Sequence, residues 1–250
     1  MASIKQIEAF LENRIPRSLS VPGDPDGTAL CPDYGAEVTK AVAALDVTMD
    51  SIEYAKSVGA NLIVTHHPSI YAPLARITEE GPVGKRMITA LQAGISLMSY
   101  HTRLDAMAGG VNDRLCALLG VKDATPFADG LGRVGFLEEE MEYSEFCRKV
   151  SAALGTENVT GIDSGRPVKR VALLGGSGKG GFRDAVATEA DTYLTGEVIH
   201  STLLDARDCG INLVCATHYR TESPVISVIR DVLKEGFPEI EVFTYYDNQL

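Results

Sequence analysis

Histidines and carboxylates follow three apolar runs of this 250-residue chain, at the points where strands would give way to loops. Imidazole combined with carboxylate is a donor mixture suited to zinc, manganese, iron or nickel rather than calcium. The residues concerned are the pair His66 and His67, His101 with Asp105, and His218 with Glu222. Because these six groups exceed the needs of one tetrahedral ion, the set favours two divalent ions that share a carboxylate.

The neighbours of these residues also predict their local backbone structure. His67 precedes Pro68 and is therefore expected to be extended, which would point it away from His66 and toward a second ion. Glu222 stands next to Ser223-Pro224, so it is expected in the loop before a helix. The alternative hypothesis is that these histidines only end strands and hydrogen bond to the backbone.

The segments that position these residues alternate between strand-like and helix-like patterns. Such alternation predicts an α/β fold with largely parallel strands, and ligands bind beyond the carboxyl ends of strands in such sheets. The predicted strands span 38–45, 60–65, 95–100, 168–174, 192–195, 211–216 and 240–245; the predicted helices span 4–12, 49–58, 84–93, 112–119, 182–189, 203–208 and about 223–233.

The two parts of the chain resemble each other. Residues 94–105 parallel 210–222, and residues 60–67 parallel 190–197. We interpret this similarity as an internal duplication into α/β halves at 1–125 and 126–250, with the metal site in the cleft between them. Chance similarity of short apolar strands is the alternative.

Composition restricts the classes of partner and compartment. The formal net charge of -11 argues against nucleic acids and anionic membranes as partners, although bound cations would still admit a phosphorylated small substrate. The start of the sequence lacks a signal-peptide pattern, and no run approaches the roughly 20 apolar residues of a membrane span. The five cysteines form no Cys-x-x-Cys pair, so we expect a reduced, cytoplasmic protein.

Several of these motifs together resemble one known family. They are Val64-Thr65-His66-His67-Pro68, Tyr100-His101-Thr102-Arg103-Leu104-Asp105 followed by Gly109-Gly110-Val111-Asn112-Asp113, Tyr193-Leu194-Thr195-Gly196-Glu197, and His218-x-x-x-Glu222. In order and spacing they are similar to the NIF-three-like (NGG-interacting-factor-three-like) family of dinuclear-metal proteins, often labelled GTP cyclohydrolase I type 2 homologues. The resemblance runs from about Ile15 to the C-terminus and is to the short form, without the insertion that some members carry.

The resemblance implies a ligand set, two similar α/β halves and a toroidal homohexamer. The implied metal ligands are His66, His67, Asp105, His218 and Glu222, with Asp105 or Glu222 bridging two ions. His101 and Glu197 match positions near the metals; His101 is the candidate proton carrier, or a group that orients Asp105. His200 also matches a family position; the alternative is that it only caps the following helix.

Two residues depart from the family pattern. Thr217 stands where many members have Gly, and Arg103 stands where many have Asn. Both departures could alter the substrate pocket without removing a ligand.

A glycine-rich loop at 175–181 follows a predicted strand and opens a predicted helix. It formally fits the dinucleotide fingerprint, but Lys179 is followed by Gly, so it is not a P-loop. We expect Lys179, Ser177 and Glu197 to contact substrate, with loop amides and Lys179 holding a phosphate. A plain tight turn is the alternative.

Three classes of function are compatible with these patterns. The leading hypothesis is a dinuclear metal-dependent hydrolase acting on a nucleotide or phosphorylated small molecule, of the GTP cyclohydrolase type that the resemblance implies. The second is a non-catalytic metal-binding oligomer that stores, delivers or senses metal ions, or serves as a scaffold. A nicotinamide-dependent oxidoreductase, the third, rests on the glycine-rich loop alone.

Overall fold

Two mixed β-sheets, each in its own unit, organise this computed structural model, which describes residues 2–178 and 180–248. By internal contacts, residues 2–107 and 225–248 form the first unit and residues 108–224 form the second. The α/β fold predicted from the alternation of segments is confirmed. Among the described residues, no helix combines the length and the apolar character needed to cross a membrane.

The first unit contains a five-stranded sheet of order β13-β4-β5-β6-β2 and a small antiparallel pair of β1 and β3. Within the larger sheet, β13, β4, β5 and β6 run parallel and β2 is antiparallel to β6. Its strands are β1 Ala2–Ser3, β2 Gly27–Leu30, β3 Glu37–Val38, β4 Lys40–Ala44, β5 Leu62–Thr65, β6 Ser96–Ser99 and, near the end of the chain, β13 Glu241–Thr244; its helices are α1 Ile4–Arg14, α2 Met49–Val58, α3 Pro82–Gln92, α4 His101–Ala106 and α10 Val225–Gly236, with a 3-10 turn at Arg17–Leu19.

Burial and capping explain why these segments fold locally as they do. Every residue of β5 and β6 is buried, as is typical of parallel strands covered on both faces. Helix α2 begins with a capping box between Thr48 and Ser51 and ends at Gly59, which has a left-handed backbone. Ile52 of this helix packs with Ile63 of β5 in the core.

The second unit contains a six-stranded sheet of order β7-β8-β10-β11-β12-β9, in which β10, β11 and β12 run parallel. Its strands are β7 Lys122–Phe127, β8 Gly132–Met141, β9 Thr160–Ile162, β10 Val168–Leu174, β11 Thr192–Thr195 and β12 Asn212–Cys215; its helices are α5 Val111–Leu119, α6 Tyr143–Leu154, α7 Gly181–Ala187, α8 His200–Cys209 and α9 His218–Glu222.

The two units share one order of elements. The first has β4-α2-β5-α3-β6-α4 and the second has β10-α7-β11-α8-β12-α9, each with three neighbouring parallel strands. The units do not correspond to two consecutive stretches of chain that meet at residue 125. After the second unit, α10 packs against α1 and β13 pairs with β4. The last described segment of the chain therefore belongs to the first unit.

Candidate metal centre

Three histidines meet at the carboxyl ends of neighbouring strands in the first unit. His66 and His67 follow β5 directly, and His101 is the first residue of α4, just after β6. Because β5 and β6 are adjacent and parallel, their carboxyl ends lie side by side. One ligand nitrogen from each of the three imidazoles lies within 4.8 Å of the others, a spacing suited to an ion.

The prediction that His66 and His67 point in opposite directions is wrong. Their ring centroids are 4.9 Å apart, and the His66 and His101 rings are 5.2 Å apart. Strand β5 ends at Thr65, so the alternation of side chains along a strand does not extend through the two histidines. His66 is fully buried and His67 is partly exposed.

Asp105 completes this group from the second turn of α4. Its carboxylate oxygen Oδ1 lies 3.8 Å from Nε2 of His66, and the residue is 9% exposed. Four of the side chains predicted from sequence therefore come together within the first unit, and α4 carries two of them, His101 and Asp105.

Two of these histidines are each held by a further carboxylate. Nδ1 of His101 lies 2.8 Å from Oδ1 of Asp24, and Nδ1 of His67 lies 2.9 Å from Oδ1 of Asp46. A carboxylate at Nδ1 selects the tautomer in which Nε2 carries the lone pair, which is the form that binds a metal ion.

Asp24 is also bonded to the start of α4, since the amide and hydroxyl of Thr102 donate to its second oxygen. Burial alone would raise the pKa of Asp24, but the hydrogen bonds from His101 and Thr102 outweigh burial and lower the pKa to about 2. The carboxylate therefore stays ionised at any pH at which the protein would bind metal.

This depressed pKa predicts a loss of stability in acid. The ionised carboxylate of Asp24 contributes fully to the free energy of unfolding above its unfolded pKa of 3.8. This contribution is lost as the pH falls through the folded pKa of about 2. We expect about 2 kcal/mol of the free energy of unfolding to disappear over that window. Urea unfolding in a chelator at pH 5 and pH 2.5 measures it. Asp24→Asn should show a smaller drop than the unchanged protein; equal drops would contradict the assignment.

In the second unit, His218 and Glu222 lie one turn apart on α9. Nε2 of His218 is 2.9 Å from Oε2 of Glu222, and Nδ1 of His218 is 3.2 Å from Oε1 of Glu197. The expectation that Glu222 belongs to a loop is wrong, because a short helix precedes α10 and places both ligand candidates on one face. Glu222 is buried and Glu197 is exposed.

The glycine-rich loop passes close to this pair. Gly176 has a φ of +68°, and a Cβ at this position would overlap the carboxylate of Glu222 and stand 3.2 Å from Nε2 of His218. A glycine here leaves the space beside both side chains open. Ser177 and Glu197 line one cavity of the second unit. Lys179 lies outside the described residues, and His200 is an exposed residue at the start of α8.

Residues 2–249 match the family described as Duf34/NIF3 (NGG1p interacting factor 3). The chain belongs to the Duf34/NIF3 family. A Clostridium perfringens relative named "GTP cyclohydrolase 1 type 2 homolog" is 33% identical over 81% of this chain and 80% of its own length. A Lactococcus lactis relative of the same name is 33% identical over 93% and 91%.

The solved structures support the fold of this Duf34/NIF3 chain. A Bacillus cereus protein described as related to NIF3 superimposes with a TM-score of 0.91 over 99% of this chain and 97% of its own, at 21% sequence identity. At that identity the likeness establishes the α/β fold and nothing beyond it. The name shared by the relatives is a label of homology, and several His, Asp and Glu groups of this chain lie close enough together that they could hold a metal ion.

The two departures from the Duf34/NIF3 pattern have different structural meanings. Arg103 is fully buried, and its guanidinium donates to Asp26 at 2.7 and 2.8 Å and to Glu12 at 2.9 Å. Thr217 has φ 60° and ψ 148°, a conformation almost restricted to glycine, which explains why glycine suits that position.

The sequence analysis did not single out Asp24 and Asp46, the carboxylates that contact His101 and His67. Asp46 stands just after the buried apolar run of β4, at the same sheet edge as the histidines. The position of Asp46 directly after an apolar, strand-like run is the sequence feature from which it could have been found. Asp24 lies in an irregular loop, where no sequence feature pointed to it.

Proposed function

We propose that this protein is a dinuclear divalent-metal-dependent hydrolase acting on a nucleotide or another phosphorylated small molecule. The proposed ligands are His66, His67 and Asp105 of the first unit and His218 and Glu222 of the second, with Asp105 or Glu222 shared by two ions. Zinc, manganese, iron and nickel suit this mixture of imidazole and carboxylate donors.

One observation carries the proposal. His67, His101 and His218 each have Nδ1 next to a carboxylate oxygen, at 2.9, 2.8 and 3.2 Å. Histidines that bind metals are held in this way, because the carboxylate fixes the ring and makes the other nitrogen a stronger donor. The same arrangement at two proposed ligands, His67 and His218, supports a metal centre over strand-end histidines that only contact the backbone, and at His101 it suits a proton carrier that must keep one orientation.

The residues present fit divalent ions. Three imidazole nitrogens of the first unit lie within 4.8 Å of one another, and Gly176 keeps space beside His218 and Glu222. A divalent ion would supply Lewis-acid polarisation of a substrate oxygen. His101 would accept and return the proton at Nε2, while Asp24 holds the ring at Nδ1. The names of the relatives support a nucleotide substrate for this site.

The first experiment joins metal analysis to turnover. Purified protein should contain up to two ions per chain, and Glu222→Ala should lower that number. A panel of nucleotides and phosphoesters should be hydrolysed, activity should vanish on chelation, and one particular metal should restore it. Full metal occupancy in Glu222→Ala contradicts the shared-ligand assignment. Metal binding without turnover of any compound favours the second candidate, a non-catalytic metal-binding oligomer.

The role of His101 is tested separately. We expect His101→Ala to retain most of the bound metal but to lose activity at least 100-fold, since general acid-base catalysis contributes roughly 10²–10⁴-fold. The matched control is His200→Ala, which changes an exposed histidine of α8. Loss of metal in His101→Ala, measured by elemental analysis, would instead make His101 a ligand.

A substitution in the glycine-rich loop tests the second pair of ligands. Ala at position 176 would push the carboxylate of Glu222 aside, so Gly176→Ala should lose bound metal. The control is Gly165→Ala: this glycine also has a positive φ, +77°, but a Cβ there meets nothing within 4 Å. Both variants should lose about 1–2 kcal/mol of stability from the strained backbone. Equal metal contents would contradict a ligand role for Glu222.

The homohexamer implied by the sequence resemblance is part of the proposal. Sedimentation velocity of the full chain checks it directly, because a hexamer of 26.8 kDa chains separates clearly from a monomer or dimer.

A further inference from the structure

Two buried polar side chains of the second unit hold the start of the glycine-rich loop. The amide of Gly175 donates to Oδ1 of Asn112 at 2.9 Å, and the amide of Gly176 donates to Oγ1 of Thr221 at 3.0 Å. Asn112 and Thr221 are both fully buried. A backbone amide without a partner is unfavourable in such an environment, so these two bonds fix the path of the loop.

Asn112 uses both ends of its side-chain amide. While Oδ1 accepts from Gly175, Nδ2 donates to the carbonyl of Leu131 at 2.8 Å. Asn112 lies in the first turn of α5, so this helix joins the loop to the segment that leads into β8. Removal of the amide would take one partner from each of two backbone groups in the interior.

Thr221 connects the loop to helix α9. Its hydroxyl accepts from the amide of Gly176 and also lies 2.9 Å from the carbonyl oxygens of Thr217 and His218. Glu222 is the next residue on the same helix. One hydroxyl therefore joins the loop to the helix that carries both proposed metal ligands of the second unit.

The backbone of the loop is packed against Glu222. A Cβ at Gly175 would stand 3.3 Å from Cγ of Glu222, and a Cβ at Gly176 would overlap its carboxylate. Gly196, which follows β11, closes on the same junction, because a Cβ there would overlap the carbonyl of Gly176 and the hydroxyl of Thr221. These close contacts restrict the rotamers that the Glu222 side chain can adopt.

We propose that Asn112 and Thr221 are positioning residues, which hold the glycine-rich loop against Glu222 and so keep its carboxylate in place for a metal ion. A side chain already fixed in its binding position loses less conformational entropy when the ion binds, and this raises the affinity. The inference rests on the proposed function, since it requires Glu222 to be a ligand. It gives the start of the loop a supporting role at the metal centre, independently of the substrate.

The first test compares two buried threonines of the second unit. Thr221→Val keeps the shape of the side chain but removes the hydroxyl, and it should weaken metal binding about tenfold in competition with a chromophoric chelator. Thr221→Ser keeps the hydroxyl and should restore the affinity. The control is Thr192→Val: Thr192 is also fully buried and donates to Asp191 at 2.7 Å, but it lies at the amino end of β11. Both valine variants should lower the urea midpoint, and only Thr221→Val should lower the affinity for metal.

The second test compares two buried asparagines in the same way. Asn112→Ala should weaken metal binding about tenfold. The control is Asn212→Ala: Asn212 is fully buried, accepts from the amide of Ser164 and donates to the carbonyl of Arg166, both at 2.9 Å, and it lies at the amino end of β12. This variant should lose stability but bind metal normally. A variant of Thr221 or Asn112 that binds metal as tightly as its control would overturn the positioning role of that residue.

Glu222→Ala distinguishes a failure of this inference from a failure of the proposed function. If Glu222→Ala loses affinity for metal while Thr221→Val and Asn112→Ala keep it, the positioning role is overturned and the metal centre stands. If Glu222→Ala also keeps full affinity, the ligand assignment fails and the positioning role fails with it. If the positioning variants lose affinity but the unchanged protein hydrolyses no compound, the positioning role stands and the hydrolase is refuted.

Discussion

Arg103→Ala is expected to lower the free energy of unfolding by about 3–5 kcal/mol, the largest effect of any single substitution considered for this chain. Arg103 and the carboxylate of Asp26 are both fully buried and joined by two hydrogen bonds of 2.7 and 2.8 Å. Removal of the guanidinium would leave the Asp26 charge buried without its main partner. Urea unfolding monitored by circular dichroism measures the loss.

The matched control is Arg230→Ala. Arg230 also contacts a carboxylate, that of Asp231, but both side chains are about half exposed, so the loss should stay within roughly 1 kcal/mol. The double variant Arg103→Ala with Asp26→Asn should lose less free energy of unfolding than the two single variants lose together, because it removes the buried charge as well as its partner. A loss below 1 kcal/mol in Arg103→Ala would contradict the buried-pair argument.

Arg103 also helps to position His101, through the loop that carries both Asp24 and Asp26. By holding Asp26, it fixes the loop that carries Asp24, and Asp24 in turn holds His101. Arg103 is therefore a positioning residue. Arg103→Lys should retain the bound metal and lower turnover less than His101→Ala does, since one ammonium keeps the charge but cannot reproduce two parallel hydrogen bonds.

His66→Ala is expected to produce the largest loss of bound metal. Its imidazole is fully buried, lies 3.8 Å from Asp105 and has a ligand nitrogen within 4.8 Å of those of His67 and His101. Changing groups that merely orient a ligand costs about 10–100-fold in metal affinity, and loss of the ligand itself should cost more. Competition with a chromophoric chelator measures the affinity.

The control for His66→Ala is again His200→Ala, which should keep full affinity. Asp24→Asn should also keep most of the affinity for metal, because it removes only the group that orients His101, which is not one of the proposed ligands; its effect is expected in turnover instead. If His66→Ala bound metal as tightly as the unchanged protein, the ligand set of the first unit would have to be abandoned.

The parallel strands and the polar residues at their ends were predictable from the sequence. Runs such as 62–65 and 96–99 are short, fully buried and apolar at their centres, and a histidine follows each within two residues. This pattern has one simple physical cause, since a parallel strand covered on both faces must be apolar until it reaches the sheet edge. The location of His66, His67 and Asp105 in one group followed from that rule.

Other elements could not be predicted in this way. The hairpin of β7 and β8 was missed because almost all of β7 is exposed, so its sequence lacks the alternation of a half-buried strand. Helices α4 and α9 have six and five residues, too few for a helical period to appear. The pairing of Asp24 with His101 joins residues 77 positions apart, and only tertiary structure brings them together.

The return of the chain to the first unit has a consequence for synthesis. Residues 108–224 leave the ribosome as one continuous stretch, so the second unit has all its strands before translation ends. The sheet that carries His66 and His67, in contrast, waits for β13 to occupy its edge beside β4. A nascent chain released before residue 241 would present that edge with unpaired amides and carbonyls, the kind of template on which strands of other molecules aggregate.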